Sequence, residues 1–284
     1  MKIKVINDGI NQVLYDKYES TIFELANENY NILNLDVDVV VIVTKLSPNY
    51  NGACRRVRRK YQVELSEKLL ELTERVDSTN NLDLVIFHEL MHVKDACIVN
   101  GKKSSYKTQC RFYYSYDNFV INVGYNSWTE FHACFETFDI SDAYKVEPTF
   151  LYMVKKFEKI IKFRDEIFNT SFTDEKVFNE TLDEYFEKIH EFVYLSSRFI
   201  ASIPFNRRRN RHCEKTRTKP EYKYLLHIYD KLINVFSKSL HGVYGKHLFT
   251  RLYKIGLIWI NELYVPLNIY PIKKNEKVLF MFEK

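Results

Sequence analysis

Apolar and polar positions along the chain fall into blocks of two different periods. Lys2–Ile6 alternates and predicts a short strand. Asn11–Glu28 places Val13, Leu14, Tyr18, Ile22, Phe23 and Leu25 at helical spacing. Leu35–Thr44 (LDVDVVVIVT) is dense in β-branched residues and predicts a buried strand. Ser47–Gly52 has the composition of a loop. Arg58–Leu65 sets Tyr61, Val63 and Leu65 against Gln62 and Glu64, the alternation expected of an edge strand. Asn81–Val99 contains neither Gly nor Pro and predicts a helix.

From about Pro148 the pattern becomes one of long amphipathic helices. The segments are Thr149–Asn169, Thr173–Ile203, Glu221–Leu240 and Leu248–Leu263, with a basic loop at Asn206–Pro220 before the third. The expected fold class is α+β. Residues 1–145 form a mixed N-terminal domain and residues 146–284 an all-α C-terminal domain, with a cleft expected near their junction.

Composition sharpens this picture. Of 284 residues, 46% are apolar, enough to bury a sizeable core, while only 7 Gly and 6 Pro favour long helices over frequent turns. Five cysteines, an odd number without a CxxC pair, argue against a disulfide framework and for a reducing compartment. The N-terminus lacks the apolar core of a signal peptide, and no apolar run approaches membrane-span length. A soluble, cytoplasmic protein is expected. A net charge of +5 does not by itself imply a nucleic-acid partner.

The chemistry concentrates in His88-Glu89-Leu90-Met91-His92, an HExxH sequence inside the predicted helix. Histidines at i and i+4 project from one helix face a turn apart, so both imidazoles can reach one Zn²⁺. Glu89, beside the first histidine, is placed to take a proton from attacking water. A catalytic zinc needs a third protein ligand. Glu130, in Asn126–Ala133, is favoured over Glu136, because the two point in widely different directions from one helix and Trp128 and Ala133 suit a packed face around Glu130. Asp95 lies a turn beyond the metal and suits orienting a histidine ring instead. His132 and Tyr125 flank Glu130 as possible donors to a developing oxyanion, with no choice made between them.

HELMH followed by Trp128-Thr129-Glu130-Phe131-His132-Ala133 resembles the gluzincins, HExxH metallopeptidases whose third ligand is a glutamate on a downstream helix. The resemblance covers roughly residues 35–140. It implies a zincin-like N-terminal domain, with His88, His92 and Glu130 as zinc ligands and Glu89 as the catalytic glutamate. It also implies that an edge strand before the motif helix, in the place of Arg58–Leu65, binds extended substrate. Cys134 stands where several gluzincins place an orienting aspartate, and the motif helix lacks the further Gly and His of the metzincins.

The expected function is therefore zinc-dependent hydrolysis of a peptide or protein substrate. The alternative is a non-catalytic or regulatory protein of the same fold that binds a protein or nucleic-acid partner. Two basic runs bear on the partner. Arg55–Lys60 either selects acidic substrate or protects a sheet edge. Arg207–Arg217 is either a solvated loop or a grip on phosphates.

Overall fold

A computed structural model describes residues 2–47, 51–57, 60–102, 116–140, 149–171, 174–203, 220–238, 247–274 and 277–282. The fold is α+β and mostly helical. Contacts divide the chain into two compact units: Met1–Lys102 with Ala133–Lys145, and Lys103–His132 with Val146–Lys284.

The first unit is built on β1 (Ile3–Asp8), α1 (Gln12–Ile32), β2 (Val39–Thr44), β3 (Gly52–Val57), β4 (Lys60–Ser66), α2 (Glu67–Val76) and α3 (Asn80–Lys102). The sheet runs β1-β2-β4-β3, with β1, β2 and β4 parallel and β3 antiparallel. Parallel neighbours need a crossover, and α1 supplies the one between β1 and β2. The Asn11 side chain starts α1 by accepting hydrogen bonds from the amides of Val13 and Leu14. Tyr15, Tyr18, Ile22, Ala26 and Tyr30 then make its buried stripe. Asn34, in the left-handed region at φ 51°, turns the chain away. The Tyr30 hydroxyl both donates to the Val37 carbonyl and accepts from the Val37 amide, which fixes the entry to β2.

In register, Val39, Val41 and Val43 of β2 sit beside Tyr61, Val63 and Leu65 of β4. All six are buried and form one core with Ile22 and Ala26 of α1 and Leu82, Val85, Ile86, Leu90 and Val93 of α3. Helix α3 is buried nearly all round from Leu82 to Met91, which explains why its sequence shows little amphipathic pattern. Asn29 of α1 donates to Asp83 at 2.7 Å, pinning its N-terminal turn.

One assignment from the sequence is corrected here. Residues 60–66 are not an edge strand but an interior one, paired on both sides. The edge is β3, which begins where a loop was expected. Its residues Gly52-Ala53-Cys54-Arg55-Arg56-Val57 have weak strand character and gain their conformation from pairing with β4. Helix α2 was also not anticipated.

The second unit contains the first part of α4 (Tyr116–Ile140), then α5 (Phe150–Asn169), α6 (Glu175–Ser202), α7 (Pro220–Phe236) and α8 (Leu248–Trp259). Thr149 and Asp174 cap α5 and α6 through their side chains. The core is aromatic, with Phe131 stacked on Phe236 at 4.2 Å and Phe157 5.6 Å from Phe192. Helices α4 and α8 meet backbone to backbone. A Cβ on Gly124 would lie 1.8 Å from the Leu252 carbonyl oxygen, and one on Gly256 1.9 Å from that of Val120. The Trp259 indole donates to Ser127 at 2.8 Å, and Ser127 pairs with Ser197, linking α4, α6 and α8.

The C-terminal part is not all-α as expected. After α8 come a π-turn (Ile260–Tyr264), a 3₁₀ turn (Val265–Leu267) and an antiparallel hairpin of β5 (Ile269–Lys274) and β6 (Lys277–Phe282). Among the described residues, no helix is long and apolar enough to cross a membrane.

Candidate metal centre

Helix α3 carries His88 and His92 on one face, because its 3.6-residue turn stacks i and i+4, with Glu89 beside them. The imidazoles meet edge to face, with centroids 4.7 Å apart. Their Nε2 atoms converge to 3.1 Å. Two nitrogens bound to one tetrahedral ion at 2.0–2.1 Å would stand about 3.3 Å apart. The pair is thus close to the spacing that a shared ion requires. His88 and Glu89 are buried, and His92 is half-buried.

Helix α4 supplies Glu130 and, one turn later, Cys134. Both are buried, at 2% and 1% exposure, and burial of a carboxylate at this level demands a charged or hydrogen-bonding partner. Arg198 approaches Glu130 to 4.0 Å. His88 and Cys134, which share one unit, offer ligand atoms close enough to meet one ion, and Glu130 stands one helical turn before Cys134 on α4. Glu136, the other glutamate weighed as a ligand, is half-buried and outside this group.

Cys134 is the member that the motif did not identify as a donor. Its Sγ lies 4.0 Å from His88 Nδ1, the ring nitrogen on the other side from the one that faces His92. The two ring nitrogens point away from each other, so one ion cannot use both. Either His88 shares an ion with His92 through Nε2, or it shares one with Cys134 through Nδ1. The signal that could have found Cys134 was its i+4 spacing from Glu130.

Glu89 has an unusual neighbour in β3. A Cβ on Gly52 would stand 2.8 Å from Glu89 Oε1 and 2.9 Å from a Val85 methyl, so only glycine leaves room for that carboxylate against the strand. Cys54, two residues on and on the same strand face, has its thiol pushed up by burial, with the Glu89 charge adding to the effect. A thiol so held stays protonated and is a poor nucleophile.

Asp95 is fully buried on α3. His132 is buried and stacks on Trp128 at 5.3 Å, while Tyr125 is half-buried. Arg58, Arg59 and the basic run Arg207–Arg217 lie outside the described residues. Cys54, Cys97 and Cys134 are present as thiols among the described residues. No family model, curated protein or solved structure matches the chain.

Proposed function

We propose that the chain is a zinc-dependent peptidase with a gluzincin-like site, in which His88, His92 and Glu130 hold the ion and Glu89 is the general base. The observation that carries this reading is the convergence of the two Nε2 atoms to 3.1 Å on a buried helix whose intervening glutamate is also buried. Two imidazoles and a carboxylate are a donor set that suits zinc and leaves a coordination position open for chemistry. Cys134 then stands behind the His88 ring, on its Nδ1 side, and limits how that ring can turn.

A zinc ion bound there would polarise a scissile carbonyl and make water a competent nucleophile near neutral pH. The Glu89 carboxylate accepts the proton from the attacking water at an oxygen and returns it to the leaving amine. Gly52 leaves that carboxylate room against β3. The zincin arrangement of the N-terminal region, with a mixed sheet and an antiparallel edge strand beside the motif helix, is part of the same proposal.

The arrangement of Cys134 also favours a second reading, in which a metal bound by His88, Glu130 and Cys134 is structural and the protein is not a peptidase. Metal analysis separates the two. On the first reading the purified protein holds about one zinc per chain, and His88→Ala, His92→Ala and Glu130→Gln each lose it or weaken it sharply. Cobalt substitution then gives no sulfur-to-metal charge-transfer absorption. On the second, His92→Ala retains the metal and the cobalt protein shows that absorption. Hydrolysis of an unfolded protein substrate by the zinc form, abolished in Glu89→Gln with metal content unchanged, completes the test.

A further inference from the structure

A cavity of about 430 Å³ lies towards the C-terminal end of α3. One wall is the connection from α1 to β2, residues 33–37, and the other is α3 itself at Lys94, Cys97 and Ile98. Both walls belong to the first unit. Cys97 stands about 12 Å along the helix from Glu89, so the cavity is separate from the histidine pair. Tyr30 holds the connecting wall in place. Its hydroxyl bonds Val37 in both directions, and its carbonyl accepts from the Leu35 amide at 3.1 Å. The amides of Leu33 and Asn34 are taken by the carbonyls of Asn29 and Asn31. This wall therefore presents Leu33, Leu35 and Val37 rather than open amides. Two charged side chains line the cavity, in different states. Asp36 is paired with Lys2 at 2.5 Å. Lys94 is half-buried and, among the described residues, has no carboxylate partner. Residues 103–115, which follow α3 in the chain, contain neither Asp nor Glu. Burial pushes the Cys97 thiol up, so it stays protonated and adds no charge.

We propose that this cavity binds a small carboxylate with an unbranched hydrocarbon tail, the carboxylate on Lys94 and the tail against Leu35, Val37 and Ile98. The site stands whether or not the chain is a peptidase. Its volume falls in the range of small-molecule sites, which are apolar with a few polar groups that fix orientation. The tail supplies affinity, because each methylene that enters leaves water. Lys94 supplies selection. Its stem lies along apolar surface, and its ammonium gains a partner of opposite charge. A carboxylate meets that cation, an amine meets repulsion, and an alcohol gains no ion pair. Lys2 already neutralises Asp36, which keeps that carboxylate from opposing the ligand. A single ammonium on a wall without open amides suits a carboxylate better than a phosphate, whose three acceptor oxygens call for several donors.

The test uses the full chain and calorimetric titration with linear carboxylates from butanoate to dodecanoate, beside 1-octanol and octylammonium. Each added methylene should tighten binding by about three- to fourfold until the cavity is filled. Octanoate should bind better than 1-octanol by about fivefold or more, the range of a part-buried charged contact. Lys94→Gln should remove that advantage and leave octanol binding in place. Lys94→Glu should turn the preference towards octylammonium. Saturating octanoate should slow alkylation of Cys97 by iodoacetamide, read by peptide mass spectrometry. Ile98→Trp, which fills the cavity, should abolish both binding and protection. Failure of octanoate to bind, equal binding of octanoate and octanol, or a preference that survives Lys94→Gln overturns the proposal. Affinity independent of chain length, or octanoate binding that leaves Cys97 alkylation unchanged, overturns it as well.

Discussion

The two units of this protein solve the burial problem with different side chains. In the first, Val, Ile and Leu from β2, β4, α1 and α3 dominate a core joined by Tyr15, Tyr18, Tyr30 and Tyr61, and the buried His88, Glu89 and Asp95 gather on α3. In the second, Phe, Tyr and Trp from α5, α6, α7 and α8 fill the core, and their polar tips are mostly taken up internally. Tyr185 donates to the Leu267 carbonyl at 3.0 Å, Tyr229 pairs with Ser196 at 3.1 Å, and Trp259 donates to Ser127. A largely aliphatic core gives packing little use for charged side chains, and His88 and Glu89, buried on α3, are the groups assigned to the proposed site. An aromatic core carries hydroxyls and indole N–H groups of its own, and its polar contacts mostly serve packing. Buried charge on α3, and Glu130 on α4, therefore bears on the proposed chemistry, while the buried hydroxyls and indoles of the second unit bear mainly on architecture.

Substitutions can break this contrast, beginning with the largest effect. Gly124→Ala drives a methyl into the Leu252 carbonyl where α4 and α8 touch. It should cost about 3 kcal/mol or more, seen as a large drop in melting temperature. Leu65→Ala, in the aliphatic core, should cost about 2–5 kcal/mol by leaving a cavity, without changing the metal stoichiometry. Ser127→Ala deprives the buried Trp259 indole of its acceptor and should cost about 1–3 kcal/mol. A similar loss of stability with no loss of metal would mark that contact as architectural.

Gly52→Ala sharpens the other side of the contrast. It should displace the Glu89 carboxylate and lower kcat by at least about tenfold, with metal content and melting temperature nearly unchanged. Unaltered kcat would remove the role assigned to the strand. The smallest effect concerns His190 on α6. Burial lowers its pKa, and Glu187 opposes this weakly. The unfolded chain then binds the proton first, so stability present above about pH 6.5 falls as the pH drops towards the folded-state value. His190→Gln in the metal-free protein should flatten that decline in melting temperature between pH 7 and pH 5.

Much of the fold was legible because burial imposes period. The spacing of Tyr18 and Ile22 marked α1, and the Val run marked β2. The long helices of the second unit were found to within a few residues, with Thr149 and Asp174 acting as caps beside their starts. The errors fell where pairing overrides composition. β3 has two arginines and a glycine in six residues and no strand signal of its own, so the edge was assigned to the better-patterned β4. The hairpin of β5 and β6 was missed for a related reason: Pro271 and the charged sequence that follows it hide two strands that stabilise each other.

At the candidate site, helical spacing alone put His88 and His92 on one face and Glu89 beside them, because those positions depend only on the geometry of a single helix. The same local rule separated Glu130 from Glu136 by direction. What only the tertiary structure decided was which groups from different segments meet. It set Cys134 behind the Nδ1 side of His88 and Gly52 against Glu89. Those meetings follow from strand register and from the packing of α3 on the sheet, and neither is written within the reach of one helical turn.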